Sequence, residues 1–121
     1  MTTTEIGTKL VELVRAGKNP EAMETLYAPD IISVEAAAPH GGSPEAKGLQ
    51  ACLAKGQQFR ERMEVHGAKI EGPFPHGDRF AVFYRYDVTP RAGGARHEMM
   101  EIAVYTVKHG KIAREEFFYA M

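Results

Sequence analysis

The chain has 121 residues, with 15 Lys and Arg against 16 Asp and Glu, and a formal net charge of −1. This length fits one domain spanning 1–121, and the balanced charge creates no broad field that would attract nucleic acid or an acidic membrane. No basic-then-apolar signal opens the sequence and no apolar run approaches bilayer length, so we expect a cytoplasmic protein without a membrane partner. A single cysteine, Cys52, excludes an internal disulfide framework and a thiolate-rich metal site.

Helix signals dominate the first half of the chain. Thr2 and Glu5 have the spacing of a capping box, and apolar residues then recur at helical spacing until Gly17. A second start signal at Asn19-Pro20 predicts a short helix. Ser43-Pro44 predicts the start of a third helix by the same reasoning. Its apolar stripe comprises Leu49, Cys52, Leu53, Phe59 and Met63, which favours a buried structural thiol at Cys52.

Strand signals follow a different period. One strand is predicted between the second and third helices, at 30–37, where a carboxylate, Glu35, interrupts the apolar run. Four more are predicted at about 65–74, 79–89, 97–108 and 111–120, joined by hairpin-type connections. The order predicts an α+β protein in which three helices in the N-terminal half pack on one face of a curved sheet that is mixed or antiparallel.

Alternation along the strands predicts which side chains face the core. In the strand at 79–89, the inward set is Phe80, Val82, Tyr84, Tyr86 and Val88. The strand at 97–108 is apolar on both faces, which requires cover on both sides. We therefore expect the helices on one face and a second copy of the chain on the other, giving a homodimer through the outer sheet face.

The order of these elements resembles that of a known fold family. The resemblance rests on the helix-helix-strand-helix-meander order, on "LYAPDIISVE" at the end of the second helix, on the Gly48 region, and on "VYTVKHGKIAREEFF" closing the sheet. The chain is similar to the nuclear transport factor 2-like superfamily, in particular its SnoaL-like and ketosteroid-isomerase-like branch. The resemblance implies a cone whose curved sheet and helices enclose an apolar pocket for a small organic molecule.

The same resemblance assigns a role to one carboxylate. Aligning "APDIISVE" places Glu35 where the isomerases keep the carboxylate that shuttles a proton. Leu10 and Ala103 stand where those isomerases have a tyrosine and a second acid, so we do not expect a standard ketosteroid isomerase. If Ala103 faces the cavity, alternation turns Glu101 the same way, and family likeness turns Glu115 inward as well.

Three candidate catalytic residues result: Glu35, Glu101 and Glu115. Several carboxylates in one cavity of low dielectric constant cannot all stay ionised, so one becomes a proton acceptor and another a donor. This would suit acid/base chemistry of the isomerase, cyclase, dehydratase or hydrolase type. The alternatives are that Glu35 is a rim residue, that Glu101 pairs with Arg85 or Arg114, and that the protein is a non-catalytic module that binds a ligand or a protein.

The candidate ligand-binding residues combine aromatic surface with hydrogen-bonding groups. They are Tyr84, Tyr86, Met99, Tyr105, Phe117 and His40. No cofactor or metal is expected, because the histidines are scattered and "HEMME", at 97–101, spreads its polar side chains over about 13 Å of strand.

Overall fold

The computed structural model describes residues 1–38 and 42–120. The helices are α1 (Thr3–Arg15), α2 (Asn19–Leu26) and α3 (Leu49–Arg62). The strands are β1 (Tyr27–Val34), β2 (Glu45–Lys47), β3 (Met63–His76), β4 (Arg79–Pro90), β5 (His97–Lys108) and β6 (Lys111–Phe118). They form one curved, unclosed mixed sheet in the order β2-β1-β6-β5-β4-β3, in which β1 and β6 run parallel and the other neighbouring strands run antiparallel. The predicted α+β class is confirmed, and no helix in the described ranges is long and apolar enough to span a bilayer.

The first helix forms as its sequence predicts. The Thr2 hydroxyl accepts a hydrogen bond from the Glu5 amide at 3.1 Å, and the Glu5 carboxylate accepts one from the Thr2 amide at 2.8 Å. This reciprocal capping box satisfies two amides that the first turn leaves without partners. The predicted apolar stripe is buried, and it consists of Ile6, Leu10, Leu13 and Val14.

The predicted start of the third helix is wrong. The Ser43 hydroxyl accepts a hydrogen bond from the Glu45 amide at 3.1 Å, which closes a local turn instead of capping a helix. Residues 45–47 then pair with β1 as the short strand β2. The helix begins only after Gly48, whose φ of 95° lets the chain turn sharply.

The strands begin and end close to their predicted positions, but the end of β1 and the facing of side chains on β6 differ from the prediction. β1 ends at Val34, so Glu35 is the first residue beyond it and not a strand residue. In the β5–β6 ladder the register shifts between Thr106 and Val107. This irregularity changes the alternation, so that Ile112 and Glu115 are both buried although simple alternation assigns them to opposite faces.

The two sheet faces have different surroundings. The face towards the helices contains the core, and the predicted inward residues Phe80, Val82, Tyr84 and Val88 are buried there. The opposite face carries Phe83, Met100, Ile102 and Phe118, which we call the outer apolar patch. Phe83 and Phe118 both pair with Ile102 in register, and Met100, Ile102 and Phe118 are 54%, 45% and 53% exposed.

Candidate functional site

Glu35 is the first residue after β1, and two side chains from distant parts of the chain contact its carboxylate. The Nζ atom of Lys55, on α3, is 2.6 Å from Glu35 Oε1. The hydroxyl of Tyr119, just after β6, donates a hydrogen bond to Glu35 Oε2 at 3.0 Å. The Glu35 side chain keeps 18% of its surface exposed, so it occupies the rim of the interior with both carboxylate oxygens engaged.

Lys55 is the residue at this site that the sequence analysis missed. Its ammonium also donates to the Ser33 hydroxyl at 2.6 Å and lies 4.8 Å from the centroid of the Phe117 ring. A signal was present in the sequence, because Lys55 stands three residues after Cys52 and four before Phe59 on the predicted apolar stripe. A charge in that stripe requires a partner inside the fold.

Glu115 is the most deeply buried of the three carboxylates, at 1% exposure. It faces Ser33 in the β1–β6 ladder, and the Tyr27 hydroxyl donates a hydrogen bond to its Oε2 atom. Burial raises the pKa of Glu115, although the hydrogen bond from Tyr27 and the charge of Lys55 oppose the shift. The Tyr27 pKa is likewise raised by burial and by the negative charge of Glu115, so Tyr27 remains a phenol.

The contacts of Glu101 differ from those of Glu35 and Glu115. The alternative in which it pairs with an arginine does not occur, because Arg85 lies 3.5 Å from Glu98 and Arg114 lies 3.2 Å from Glu116. Among the described residues, no cationic nitrogen lies within 4.0 Å of the Glu101 carboxylate. Glu101 is therefore a half-buried acid without a cationic partner in residues 1–38 and 42–120.

The environment of Glu101 favours its protonated form. Burial raises the pKa of Glu101 to about 7, with further contributions from the negative charges of Glu35 and Glu115 and an opposing one from Lys55. The three carboxylates thus act on one another, as their predicted inward placement implies. We call Glu35, Glu101, Glu115 and Lys55 the carboxylate cluster.

The predicted aromatic residues divide into a closed group and a more accessible one. Tyr84 and Tyr105 are buried, their hydroxyl oxygens are 2.6 Å apart, and burial raises the pKa of both. Tyr86 is half-buried, stacks on Tyr84 at 5.8 Å between ring centroids, and pairs in register with Met99. Tyr86, Met99 and Phe117 therefore offer partly open apolar surface near the cluster.

Two shallow hollows on the described surface lie away from the predicted pocket, one along α1 beside Thr4 and Thr8 and the other beside Ala68 and Arg85. Neither is lined by a residue of the carboxylate cluster. His40 lies outside the described residues, so its predicted place at the pocket mouth stays a prediction.

A model of the SnoaL-like domain matches residues 1–119, and the chain belongs to this family. The resemblance drawn from "LYAPDIISVE" and from the order of elements is thereby confirmed. No curated protein matches the chain.

Solved structures give the same result. The chain is similar to a Mesorhizobium loti protein described as a candidate SnoaL-like polyketide cyclase, with 44% identity over 98% of this chain and 100% of that one and a TM-score of 0.90. A nuclear transport factor 2-like protein from Burkholderia thailandensis is 22% identical over 99% and 92% of the two chains, with a TM-score of 0.83. A protein of ketosteroid isomerase-like fold from Catenulispora acidiphila, solved with trimethylamine, is 21% identical over 99% and 88%, with a TM-score of 0.74. The last two similarities show the fold alone.

Proposed function

We propose that this SnoaL-like protein binds a small, mostly apolar organic molecule beside the carboxylate cluster and moves a proton on it without a cofactor. The observation that carries the proposal is Glu101, a half-buried acid with no cationic partner among the described residues and a pKa raised to about 7. A general acid or base works best when its pKa lies near the working pH, because both protonation states are then populated. Few surface carboxylates meet that condition.

The contacts of Glu35 and Glu101 indicate different roles for these two acids. Glu35 has both oxygens engaged, by Lys55 and by Tyr119, whereas no described side chain donates a hydrogen bond to Glu101. Glu101 is therefore the group that exchanges a proton with the substrate. Glu35, the base that the family resemblance implies, acts here as the neighbouring charge that increases the proton affinity of Glu101.

The reaction class follows from an acid that can both take and return a proton. In its ionised form Glu101 removes a proton from the carbon next to a carbonyl, and the electrons of that C–H bond form an enolate. The enolate carbon then attacks a second carbonyl of the same molecule, and Glu101 returns the proton to the resulting alkoxide. The description of the Mesorhizobium loti relative as a candidate polyketide cyclase supports this ring-closing, aldol-type version.

The substrate surface would come from the partly open aromatic and thioether groups. Tyr86, Met99 and Phe117 are half-buried, and Phe59 lies 5.9 Å from Tyr86 between ring centroids. Such surface suits an apolar carbon skeleton, whereas the carboxylate cluster supplies the polar end of the site.

The test measures proton exchange on simple ketones. A panel of cyclic ketones and β-ketoesters is incubated with the protein in D₂O, and loss of the proton signal next to the carbonyl is followed by NMR. We expect exchange about tenfold or more above the buffer rate for at least one compound, and loss of that gain in Glu101→Gln. Glu98→Gln is the matched control, since Glu98 lies on the same strand with an exposed side chain.

The same samples distinguish the competing class of protein. Binding seen as shifts in the amide spectrum, with exchange at the buffer rate for every compound, would indicate a non-catalytic binding module. Equal exchange in wild type and Glu101→Gln would refute the role of Glu101.

We also infer that two copies of the chain associate through the outer apolar patch. Phe83, Ile102 and Phe118 form a continuous row across β4, β5 and β6. Together with Met100 they expose large apolar groups on the sheet face opposite the core. Contiguous apolar patches of this kind mark interaction sites. Arginine–carboxylate pairs lie on the same strands, between Arg85 and Glu98 and between Arg114 and Glu116, and supply a polar rim.

A further inference from the structure

Lys55 connects three parts of the fold through one ammonium group. Its Nζ atom lies 2.6 Å from Glu35 Oε1 and 2.6 Å from Ser33 Oγ, on and just beyond β1, and 4.8 Å from the ring centroid of Phe117 on β6. The Lys55 side chain is 27% exposed. Its stem is therefore mostly covered by the protein, and its charge lies next to the Glu35 carboxylate and the Ser33 hydroxyl.

We propose that Lys55 is a positioning residue of the carboxylate cluster, which holds Glu35 and Ser33 in place and decides which of the three carboxylates carries a proton. The proposal rests on the proton-transfer function proposed above and extends it to a residue that does not itself contact the substrate.

The contact of 2.6 Å between Lys55 Nζ and Glu35 Oε1 fixes the Glu35 carboxylate relative to α3, and the contact of 2.6 Å to Ser33 Oγ keeps the ammonium itself in place. Ser33 is fully buried and lies opposite Glu115 in the β1–β6 ladder. Lys55 therefore reaches Glu35 directly and Glu115 through the Ser33 hydroxyl.

The groups that face Glu101 are Glu35 beyond β1, Lys55 on α3, Tyr84 and Tyr86 on β4, and Glu115 and Tyr119 on or beyond β6. Lys55 is the cation that stabilises the ionised form of Glu101, and Glu35 and Glu115 oppose it. Removing the Lys55 charge leaves three carboxylates together, so Glu101 should then hold its proton to higher pH.

The experiment follows the titration of the Glu101 carboxyl carbon by ¹³C NMR in the full-length protein, assigned by loss of its signal in Glu101→Gln. In Lys55→Met, which keeps the stem and removes the charge, we expect the midpoint of Glu101 to rise by about one pH unit or more. Lys55→Arg restores the charge and should return the midpoint to within about half a unit of wild type. A purely structural role would give the same midpoint in all three proteins.

The matched control is Lys69→Met. Lys69 forms an exposed ion pair with Glu71 at 3.2 Å on β3, so its replacement should leave the Glu101 midpoint unchanged. An unchanged midpoint in folded Lys55→Met would overturn the proposal, as would an equal shift in Lys69→Met.

A measurement on the wild type decides the question if Lys55→Met does not fold. Nuclear Overhauser contacts are expected from the Lys55 ε-methylene protons to the Phe117 ring and to the Ser33 β-protons. Their absence in the folded wild-type protein would refute the positioning role.

The two proposals fail in different ways. A shifted Glu101 midpoint in Lys55→Met, with no proton exchange on any ketone, supports the role of Lys55 and refutes the catalytic function. If ketone exchange depends on Glu101 but the titration midpoint of Glu101 is the same in wild type and Lys55→Met, the catalytic function is supported and the role of Lys55 is refuted.

Discussion

Tyr84 on β4 and Tyr105 on β5 bring their hydroxyl oxygens to within 2.6 Å of each other inside the core. Both side chains are nearly without solvent contact, at 4% and 2% exposure. Each hydroxyl is thus the partner that satisfies the other, and Tyr105 also stacks on Phe80 at 4.9 Å between ring centroids. The pair joins two strands through a polar contact inside the core, next to Glu115, which pairs with Tyr105 in register.

This pairing predicts a non-additive effect on stability. Tyr84→Phe or Tyr105→Phe alone leaves one buried hydroxyl without a partner, which should lower the free energy of unfolding by about 1–3 kcal/mol. The double variant removes both hydroxyls and should be destabilised by less than the sum of the single changes. Urea unfolding of the four proteins measures the coupling, with Tyr86→Phe as a half-buried control. Strict additivity would show that the two hydroxyls do not depend on each other.

Period-two alternation accounts for much of what the sequence predicted correctly. It placed Phe80, Val82, Tyr84 and Val88 in the core, because a strand with one buried face fixes the side of every residue. The inward placement of Glu101 and Glu115 depended instead on the family resemblance. The alternation fails locally at Ile112, where the β5–β6 ladder shifts register. Such an irregularity depends on how two strands pair and has no signature in either strand alone.

Local patterns in the sequence mark Lys55 as a charge that requires a partner, but they do not identify Glu35 as that partner. The ion pair depends on where α3 lies relative to the end of β1, which the sequence of neither segment specifies. The misplaced start of α3 had a similar cause, since Ser43-Pro44 has the chemistry of a helix cap but pairing of residues 45–47 with β1 prevails. For Lys55, the usable signal was its charge within the apolar stripe predicted for α3.

Two helical glycines predict opposite effects of the same substitution. A Cβ at Gly7 would lie 2.7 Å from Pro73 Cβ and 3.1 Å from Phe80 Cδ2, where α1 packs closely on the sheet. Gly7→Ala should therefore lower the free energy of unfolding by about 1–3 kcal/mol despite the better helix propensity of alanine. Chemical denaturation provides the measurement.

Gly56 on α3 is the matched control. The nearest atoms to an added Cβ there are Arg60 Nη1 at 3.3 Å and Met23 Cε at 3.6 Å, both at the ends of flexible side chains. Gly56→Ala should raise the free energy of unfolding by up to about 1 kcal/mol. A loss of stability in Gly56→Ala similar to that in Gly7→Ala would contradict the packing argument.

The pH dependence of stability follows from the raised pKa of Glu101. The folded value of about 7 exceeds the ordinary value of 4.5, so between these two pH values the folded protein binds more protons than the unfolded chain. The free energy of unfolding should therefore fall as pH rises through this window, by up to about 3 kcal/mol from this group. Glu115, whose pKa is also raised, acts in the same direction.

Thermal or urea unfolding at several pH values tests this slope. Glu101→Gln cannot ionise, so its stability should depend less on pH across the window and exceed that of wild type near neutrality. Glu98→Gln, on the exposed side of the same strand, should keep the wild-type slope. A wild-type protein whose stability rises through the window would show that Glu101 is not held in its protonated form.

The outer apolar patch predicts how the dimer can be separated. Ile102 lies between Phe83 and Phe118 in register, so a carboxylate at this position would be buried in both copies of a symmetric interface. Burying two unpaired charges costs several kcal/mol, enough to dissociate a dimer at micromolar concentration.

Wild type should sediment at twice the 13.4 kDa mass of one chain, and Ile102→Glu as a monomer with an unchanged fold. Val65→Glu is the control, because Val65 is 41% exposed on β3 and pairs with the inward residue Val88, on the sheet face opposite the patch. A monomeric wild type would refute the dimer, and a dimeric Ile102→Glu would place its interface on another surface.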